Sequence, residues 1–391
     1  KAFAIVRYNQ DGTVDSSFST VNQDGIFLGP LGECFAIAIQ SDGKIVAAGA
    51  VSNGGDDFQL ARYNMDGTID NSFGTNGVVT TDLGGENEIA RSVVIQPDGK
   101  IIVAGHSNNG ADYDFAIARY NLDGSLDNSF SINGMVTTDF ENFTDRASSV
   151  ILQTDGKIVV AGLTTNPIFY YPYIALARYN TDGTLDNSFG VNGKVISLLE
   201  GNAKDLVLQP DGKIIATGGT NCFVLLSFNA DGTLDTDFGV DGIVNEDIGT
   251  VNKNLALGCT LQPDGRIVAV GFGELDGNNT DSDFAVARFI NDLNLGVISF
   301  SRQENSMLIY PNPIKESATI EYTLTSTETL SLELYDLSGK LVQSLFTTEE
   351  RDPGQHKETF VLDANLEVGN YILTLSNQMG SSSVRINYSA N

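Results

Sequence analysis

The sequence has no tryptophan, two histidines and three cysteines among 391 residues. The cysteines, Cys34, Cys222 and Cys259, show no Cys-x-x-Cys spacing, and with only His106 and His356 to add they form no recognisable zinc cluster. Their odd number offers no disulfide framework. Cys34 and Cys259 stand where other copies of an internal repeat carry Ala or Val, so they read as buried small hydrophobes. Basic residues are scarce as well: 22 Lys and Arg face 50 Asp and Glu, a net charge of −28. Such a field repels phosphate backbones and anionic membrane surfaces, which argues against nucleic acid as a partner. No run of 18 apolar residues occurs, so no membrane-spanning helix is expected, and the opening residues KAFAIVRYN do not resemble a signal peptide. Export would therefore require a leader already removed. No nucleophile elbow, phosphate loop, HExxH or Ser-His-Asp set is present, and His106 sits in a variable loop without an evident partner. The chain is read as a non-enzyme.

What is abundant is glycine, 41 residues of it, with short apolar runs broken by Asp-Gly or Asn-Gly. That pattern predicts many short strands and tight turns. A unit of about 55 residues recurs, and internal repetition decides the architecture before any local detail. Its first landmark is FAIVRYNQDGTVDSSF from Phe3, returning from Phe58, Phe115, Ile174 and Phe223, with a decayed sixth copy from Phe284. Its second is a hairpin, as in SVVIQPDGKIIVAG, with turn aspartates Asp42, Asp98, Asp155, Asp211 and Asp264. The strand after each turn, such as 157–162, is apolar on both faces, which requires a sheet covered above and below. With the short segment after Gly77, Gly134, Gly193 or Gly242, each unit holds four strands. Four strands in 50 to 60 residues suit a propeller blade better than a solenoid coil.

Five hairpins against six ARYN-type strands leave the first strand in a blade completed either upstream of Lys1 or after Phe289. The expected fold is all-β: a β-propeller of five to seven four-stranded blades over residues 1–290, a linker or degenerate strand at 291–306, and an Ig-like β-sandwich over 307–391. The pieces ARYNxDGTLDxSFG and QPDGKIVVAG resemble the delta-60 repeat of bacterial secreted proteins, a family regarded as propeller-forming. That resemblance implies fold more than function.

Acids at the turns come in pairs four apart: Asp11 and Asp15, Asp66 and Asp70, Asp123 and Asp127, Asp182 and Asp186, Asp231 and Asp235. Because every blade carries the pair, it answers to architecture and not to catalysis. The first Asp is expected to fix the turn through backbone N–H groups. The second is expected to hold the next loop or to meet a strand arginine: Arg7, Arg62, Arg119, Arg178 or Arg288. Ser227 replaces the arginine while Asp235 persists, so an obligatory pair within each unit is not expected. Asn-x-Asp-Gly-x-x-Asp resembles half a calcium loop but lacks the distal Glu; calcium there stands as the second reading behind a plain Asx turn, and no other cofactor is indicated. Ligand binding should lie where copies differ, in the loops after the hairpins. There Phe169, Tyr170, Tyr171 and Tyr173 suggest a stacking platform for sugar or peptide, or else a cap over a blade edge.

From MLIYPNP onward a different module alternates in strand fashion. Tyr310-Pro311-Asn312-Pro313, then LELYDLSGKLVQSL with Leu334, Tyr335, Asp336 and Gly339, then Gly369-Asn370-Tyr371, then a final strand with Arg385 as its one basic residue resemble the type A C-terminal sorting domain of type IX secretion substrates. The resemblance implies passage through the periplasm and across the outer membrane, with docking on the translocation channel and its shuttle protein. It also implies a secreted or surface location, with surface lipopolysaccharide or extracellular glycan as further partners. The cargo then reads as an adhesion or ligand-binding propeller. A secreted glycan-acting enzyme using the propeller cavity and an inert surface spacer are the alternatives.

Overall fold

In the computed structural model, the described residues are 1–18, 25–52, 54–141, 143–165, 171–248, 254–273, 283–289, 308–310, 314–315, 317–324, 326–336, 340–363, 366, 368–377 and 381–388. Two compact units emerge, Lys1–Leu293 and Asn294–Asn391. The expected linker at 291–306 lies outside the described residues.

The first unit is a succession of antiparallel sheets in chain order. A two-stranded sheet pairs β1 (Ala2–Val6) with β2 (Ile26–Leu31). Four four-stranded sheets follow. They comprise β3 (Glu33–Ile39), β4 (Ile45–Ser52), β5 (Asp56–Tyr63) and β6 (Val78–Thr81); then β7 (Glu88–Ile95), β8 (Ile101–Asn108), β9 (Tyr113–Tyr120) and β10 (Met135–Thr138); then β11 (Thr144–Leu152), β12 (Ile158–Thr165), β13 (Pro172–Tyr179) and β14 (Lys194–Glu200); then β15 (Asn202–Leu208), β16 (Ile214–Gly219), β17 (Phe223–Phe228) and β18 (Ile243–Glu246). A three-stranded sheet of β19 (Leu255–Leu261), β20 (Ile267–Gly273) and β21 (Asp283–Phe289) completes it. This is the expected all-β blade array. β1 and β2 hold the third and fourth places of a blade, and β19 to β21 the first three.

The doubly apolar strands explain the stacking. In β8, Ile101 and Val103 pack toward the preceding sheet with Val46, Leu60 and Phe73. Ile102 and Ala104 pack the other way, with Phe130, Ile158 and Val160. Period-two alternation thus feeds two cores from one strand, and each fully buried aromatic such as Phe115 contributes about 1.5–3 kcal/mol. Tyrosine hydroxyls cross the same joints, Tyr120 to Thr81 at 2.9 Å and Tyr179 to Thr138 at 2.7 Å.

The hairpin turns are three-residue connections. Gln40 N–H donates to Lys44 O at 2.8 Å and Gly43 N–H to Gln40 O at 2.9 Å, enclosing three residues of which only Gly43 has positive φ, 82°. This is a type I turn closed by a left-handed glycine, so Asp42 is free to serve as an acceptor. A second glycine is required for space: a Cβ at Gly162 would sit 2.0 Å from Arg146 O, where β11 bulges between Ala147 and Ser149. The cysteines are free and half-buried, less enclosed than expected. Burial pushes all three thiols above their ordinary value.

The second unit has two sheets. One is ordered β22 (Leu308–Tyr310), β23 (Ser317–Leu324), β26 (Gly354–Val361). The other is ordered β25 (Leu341–Arg351), β24 (Glu328–Tyr335), β27 (Gly369–Ser376), β28 (Ser381–Tyr388). Alternating residues of both sheets, among them Ile320, Tyr322, Leu332, Leu334, Leu373 and Ile386, share one core.

Candidate functional site

The propeller has two rims of different character. At the turn rim, the first Asp of each pair does what the sequence suggests: Asp66 Oδ1 accepts from Thr68 N at 3.0 Å and Thr68 Oγ1 at 2.6 Å, and the other copies repeat this. The second Asp meets the strand arginine of its own unit, one of the two roles expected of it. Nε–Oδ2 distances are 2.8 Å for Arg7–Asp15, 2.7 Å for Arg62–Asp70, and 2.8 Å for both Arg119–Asp127 and Arg178–Asp186. Where serine stands in, Ser227 Oγ donates to Asp235 at 3.0 Å, so the carboxylate keeps a partner after the charge is lost. Hairpin lysines complete the set: Lys44, Lys100, Lys157 and Lys213 reach Asp70, Asp127, Asp186 and Asp235 at 2.8–3.0 Å. The guanidinium also stacks over a phenylalanine, Arg119 on Phe130 at 4.6 Å, and reaches the next unit, Arg119 Nη1 donating to Thr181 O at 2.6 Å. These repeated side chains bond one another, which marks them as scaffold.

On the same rim the first strands of successive blades end around a cavity of about 420 Å³. Its lining is aliphatic, including Ile39, Val93, Ile95, Ile151, Leu152 and Leu208.

The variable loops occupy the opposite rim, at the other end of strands such as β7, about 23 Å away at 3.3 Å per residue. His106, expected in a loop, is in β8, 4% exposed and edge-on to Tyr113 at 5.3 Å. Burial, then the charges of Arg91 and Arg146, lower its pKa to about 3, so it stays neutral. Two carboxylate groups that the sequence reading missed also gather here: Asp57, Asp82 and Glu88, and Asp114, Asp139 and Asp145. Their members come from three chain segments each, and the one signal in the sequence is the Thr-Thr-Asp ending of β6 and β10, shared by these two copies. Burial pushes Asp145 up to about 7, with the charges of Asp139 and Asp114 adding to it. Asp114 is raised by burial and by Asp112 and Asp139.

A raised carboxyl has a defined effect on stability. The unfolded chain releases this proton near pH 4 and the folded chain near 7, so the folded form binds more protons between them and wild-type stability falls as pH rises through that window. In metal-free buffer, Asp145→Asn should gain on wild type across pH 4 to 7, by up to about 4 kcal/mol. Denaturant melts at several pH values measure it; parallel curves would refute it.

Of the aromatic residues singled out, Tyr171 is 53% exposed and Tyr173 is half-buried in β13, opposite Thr164. Phe169 and Tyr170 lie outside the described residues. In the second unit, Tyr310 is exposed; its hydroxyl donates to Glu321, and Lys357 sits 5.1 Å over its ring while pairing with Glu321 at 2.6 Å. Leu334 and Tyr371 belong to the core. Tyr335 donates to Glu333 at 2.6 Å, and Asp336 Oδ1 accepts from Lys340 N at 3.0 Å. Gly369 and Tyr388 face each other at one end of the β27–β28 ladder, with Arg385 opposite Ile372 within it. β28 is an edge strand. Pro311, Asn312, Pro313 and Gly339 lie outside the described residues.

Comparison with known proteins follows the same division. The family described as "Domain of unknown function (DUF5122) beta-propeller" matches residues 2–18, 40–73, 96–130, 153–189, 209–238 and 262–295. The family described as "Secretion system C-terminal sorting domain" matches 308–387. No curated protein matches the chain. Similar solved structures include a protein of unknown function from Bacteroides caccae, 16% identical, covering 63% of this chain and 74% of that one, TM-score 0.38. PorZ, a surface component of the type-IX secretion system of Porphyromonas gingivalis, is 10% identical over 94% of this chain and 62% of that one, TM-score 0.35. The β-propeller domain of the Trilobed protease from Pyrococcus furiosus is 10% identical over 91% and 94%, TM-score 0.35. With six repeat matches on its blades and one sorting-domain match on its two-sheet unit, the chain carries a DUF5122 β-propeller domain and a type IX secretion C-terminal sorting domain, which directs it to the cell surface or beyond.

Proposed function

We propose that the exported propeller is a non-catalytic binding module that meets an extracellular ligand, a glycan or a surface polymer, through its variable-loop rim. The observation that carries this reading is the contrast between rims: at the turns the repeated Asp, Arg and Lys side chains bond one another, while the opposite loops differ from copy to copy. Loops on a fixed scaffold are where specificity is placed. The aliphatic lining of the axial cavity supports a non-catalytic role, since a glycan-acting site would need acids there. Asp145 and Glu88 are fully buried and out of a substrate's reach.

Among the described residues of this rim, Tyr171 is an exposed aromatic able to stack on a sugar ring. Titrating the full chain against a panel of soluble polysaccharides should find one that binds, and Tyr171→Ala should weaken that binding about tenfold, the equivalent of one stacking contact of 1 to 1.5 kcal/mol. Binding unaffected by Tyr171→Ala would remove the stacking role, and no binding across the panel would favour an inert spacer.

On the same reading, the two-sheet unit is what the translocation channel and its shuttle protein recognise. Tyr310 offers an exposed side chain and β28 an edge of its sheet, while Leu334 and Tyr371 belong to the core. An edge strand can accept a further strand from a partner.

A further inference from the structure

Asp114 opens β9, Asp139 follows β10 and Asp145 lies at the start of β11, so two of these acids belong to one blade and the third to the next. One carboxylate oxygen from each lies within 4.8 Å of the others. Asp145 is fully buried; its Oδ2 accepts from Phe140 N at 2.7 Å, and its Oδ1 accepts no hydrogen bond. Asp114 is 7% exposed; its Oδ2 accepts from Asn109 Nδ2 at 2.9 Å, and its Oδ1 is also without a partner. The Thr164 hydroxyl lies opposite Asp145 in the β11–β12 ladder. Lys194 Nζ donates to the main-chain carbonyl of Asp139 at 2.8 Å. Buried carboxylate oxygens rarely lack a donor, and two of them converging beside a third acid call for a cation.

The preceding blade supplies a comparison. There Glu88, one methylene longer, takes the place of Asp145 and is satisfied by protein: Leu83 N and Gly85 N each donate at 2.7 Å and Ser107 Oγ at 3.2 Å. In the two following copies the corresponding residues are Tyr173 with Gly201, and Cys222 with Asp247 and Asn254. Among the described residues, the unpartnered buried carboxylate oxygens are therefore confined to this joint.

We propose that Asp114, Asp139 and Asp145 bind a calcium ion that fastens the loop rim across this joint between blades. The donors are all oxygen, which selects a hard cation. Carboxylate atoms within 4.8 Å of one another are close enough for small side-chain adjustments to bring all three to about 2.4 Å from one ion, the usual Ca–O distance. Calcium also tolerates the irregular geometry of a loop-built site and completes its shell with water, whereas magnesium requires a tight octahedron.

The test uses the purified full chain stripped with chelator, titrated calorimetrically with calcium chloride and melted with and without it. Expected are one calcium per chain with a dissociation constant of roughly 10⁻⁴ to 10⁻³ M, the range of extracellular modules, and a calcium-dependent rise in melting temperature. Asp145→Asn and Asp114→Asn should each weaken binding at least about tenfold and abolish the rise, while Asp57→Asn in the satisfied corner leaves both unchanged. Should Asp145→Asn fail to fold, Asp139→Asn at the exposed member must still weaken binding. The proposal is overturned by equal melting with calcium and chelator and no heat up to about 10 mM calcium, by a response that survives all three substitutions in the site, or by magnesium acting as well as calcium.

Discussion

Removal of residues 307–391 is expected to leave the tagged chain in the periplasm, with the surface and medium fractions reduced at least tenfold against full length. The propeller's contacts, including the joints between blades and the Arg–Asp–Lys sets, lie within its own compact unit. The truncated chain should therefore accumulate folded, and loss of export would not be a by-product of misfolding. Fractionation of the native host expressing each version, with protease resistance of the periplasmic pool as the folding control, decides it. Equal export of both versions would mean that the two-sheet unit is an accessory domain and that another signal moves the chain. An intermediate result is expected from Tyr310→Ala, which removes an exposed side chain while the Leu334 and Tyr371 core stays intact.

The second large effect concerns stability. Asp127→Ala should lower the unfolding free energy of the propeller by about 3–5 kcal/mol, the usual consequence of leaving a buried cation unpaired. Arg119 and Asp127 are each 6% exposed, and Lys100 loses its partner as well. Arg119→Ser should cost clearly less, since it recreates the arrangement that Ser227, Lys213 and Asp235 already make. Chemical denaturation of both variants measures the order; equal losses would mean that the guanidinium, not the carboxylate, organises the turn. The pH response of this group has the opposite sign to that of Asp145. Burial alone would raise Asp127, but Lys100, Ser129 and Arg119 together hold it well below the usual carboxylate range. A depressed folded pKa stabilises the fold at pH above the unfolded value of about 4, and the contribution is lost only as pH falls further. Mild acid should therefore leave the turn rim intact while relieving Asp145.

How far the sequence foretold this depends on the range of each interaction. Blade period, strand number and the two-sided burial of strands such as β12 were legible because Asp-Gly turns and period-two apolar alternation act over a few residues. Which partner the second Asp takes was less legible, because Ser227 breaks the Arg–Asp pattern in one copy. A hydroxyl can donate to Asp235 as a guanidinium does, and the flanking Lys213, 22 positions away, keeps the charge balanced. His106 was placed in a loop because Asn and Gly follow it, yet pairing opposite Ile89 and Phe115 draws it into β8. The acidic corner was invisible for a different reason: Asp114 and Asp145 stand 31 residues apart and meet only when two blades stack. The aromatic loop residues are half answered, with Tyr171 exposed as a binding surface requires.

The arginine that bridges neighbouring units gives the propeller a direction. Arg7 donates to Met65 O, Arg62 to Leu122 O, Arg119 to Thr181 O and Arg178 to Ala230 O, and Ser131 N and Gly190 N likewise donate to Asp182 O and Asp231 O. In each case the donor belongs to the earlier repeat and the acceptor to the later one. A repeat newly emerged from synthesis thus carries an Nη1 donor without its acceptor until its successor folds, and the array consolidates like a zipper that closes one tooth behind the advancing chain. Shortening it from the front strands carbonyls, which water satisfies readily, whereas shortening it from the back strands a guanidinium inside a half-built joint.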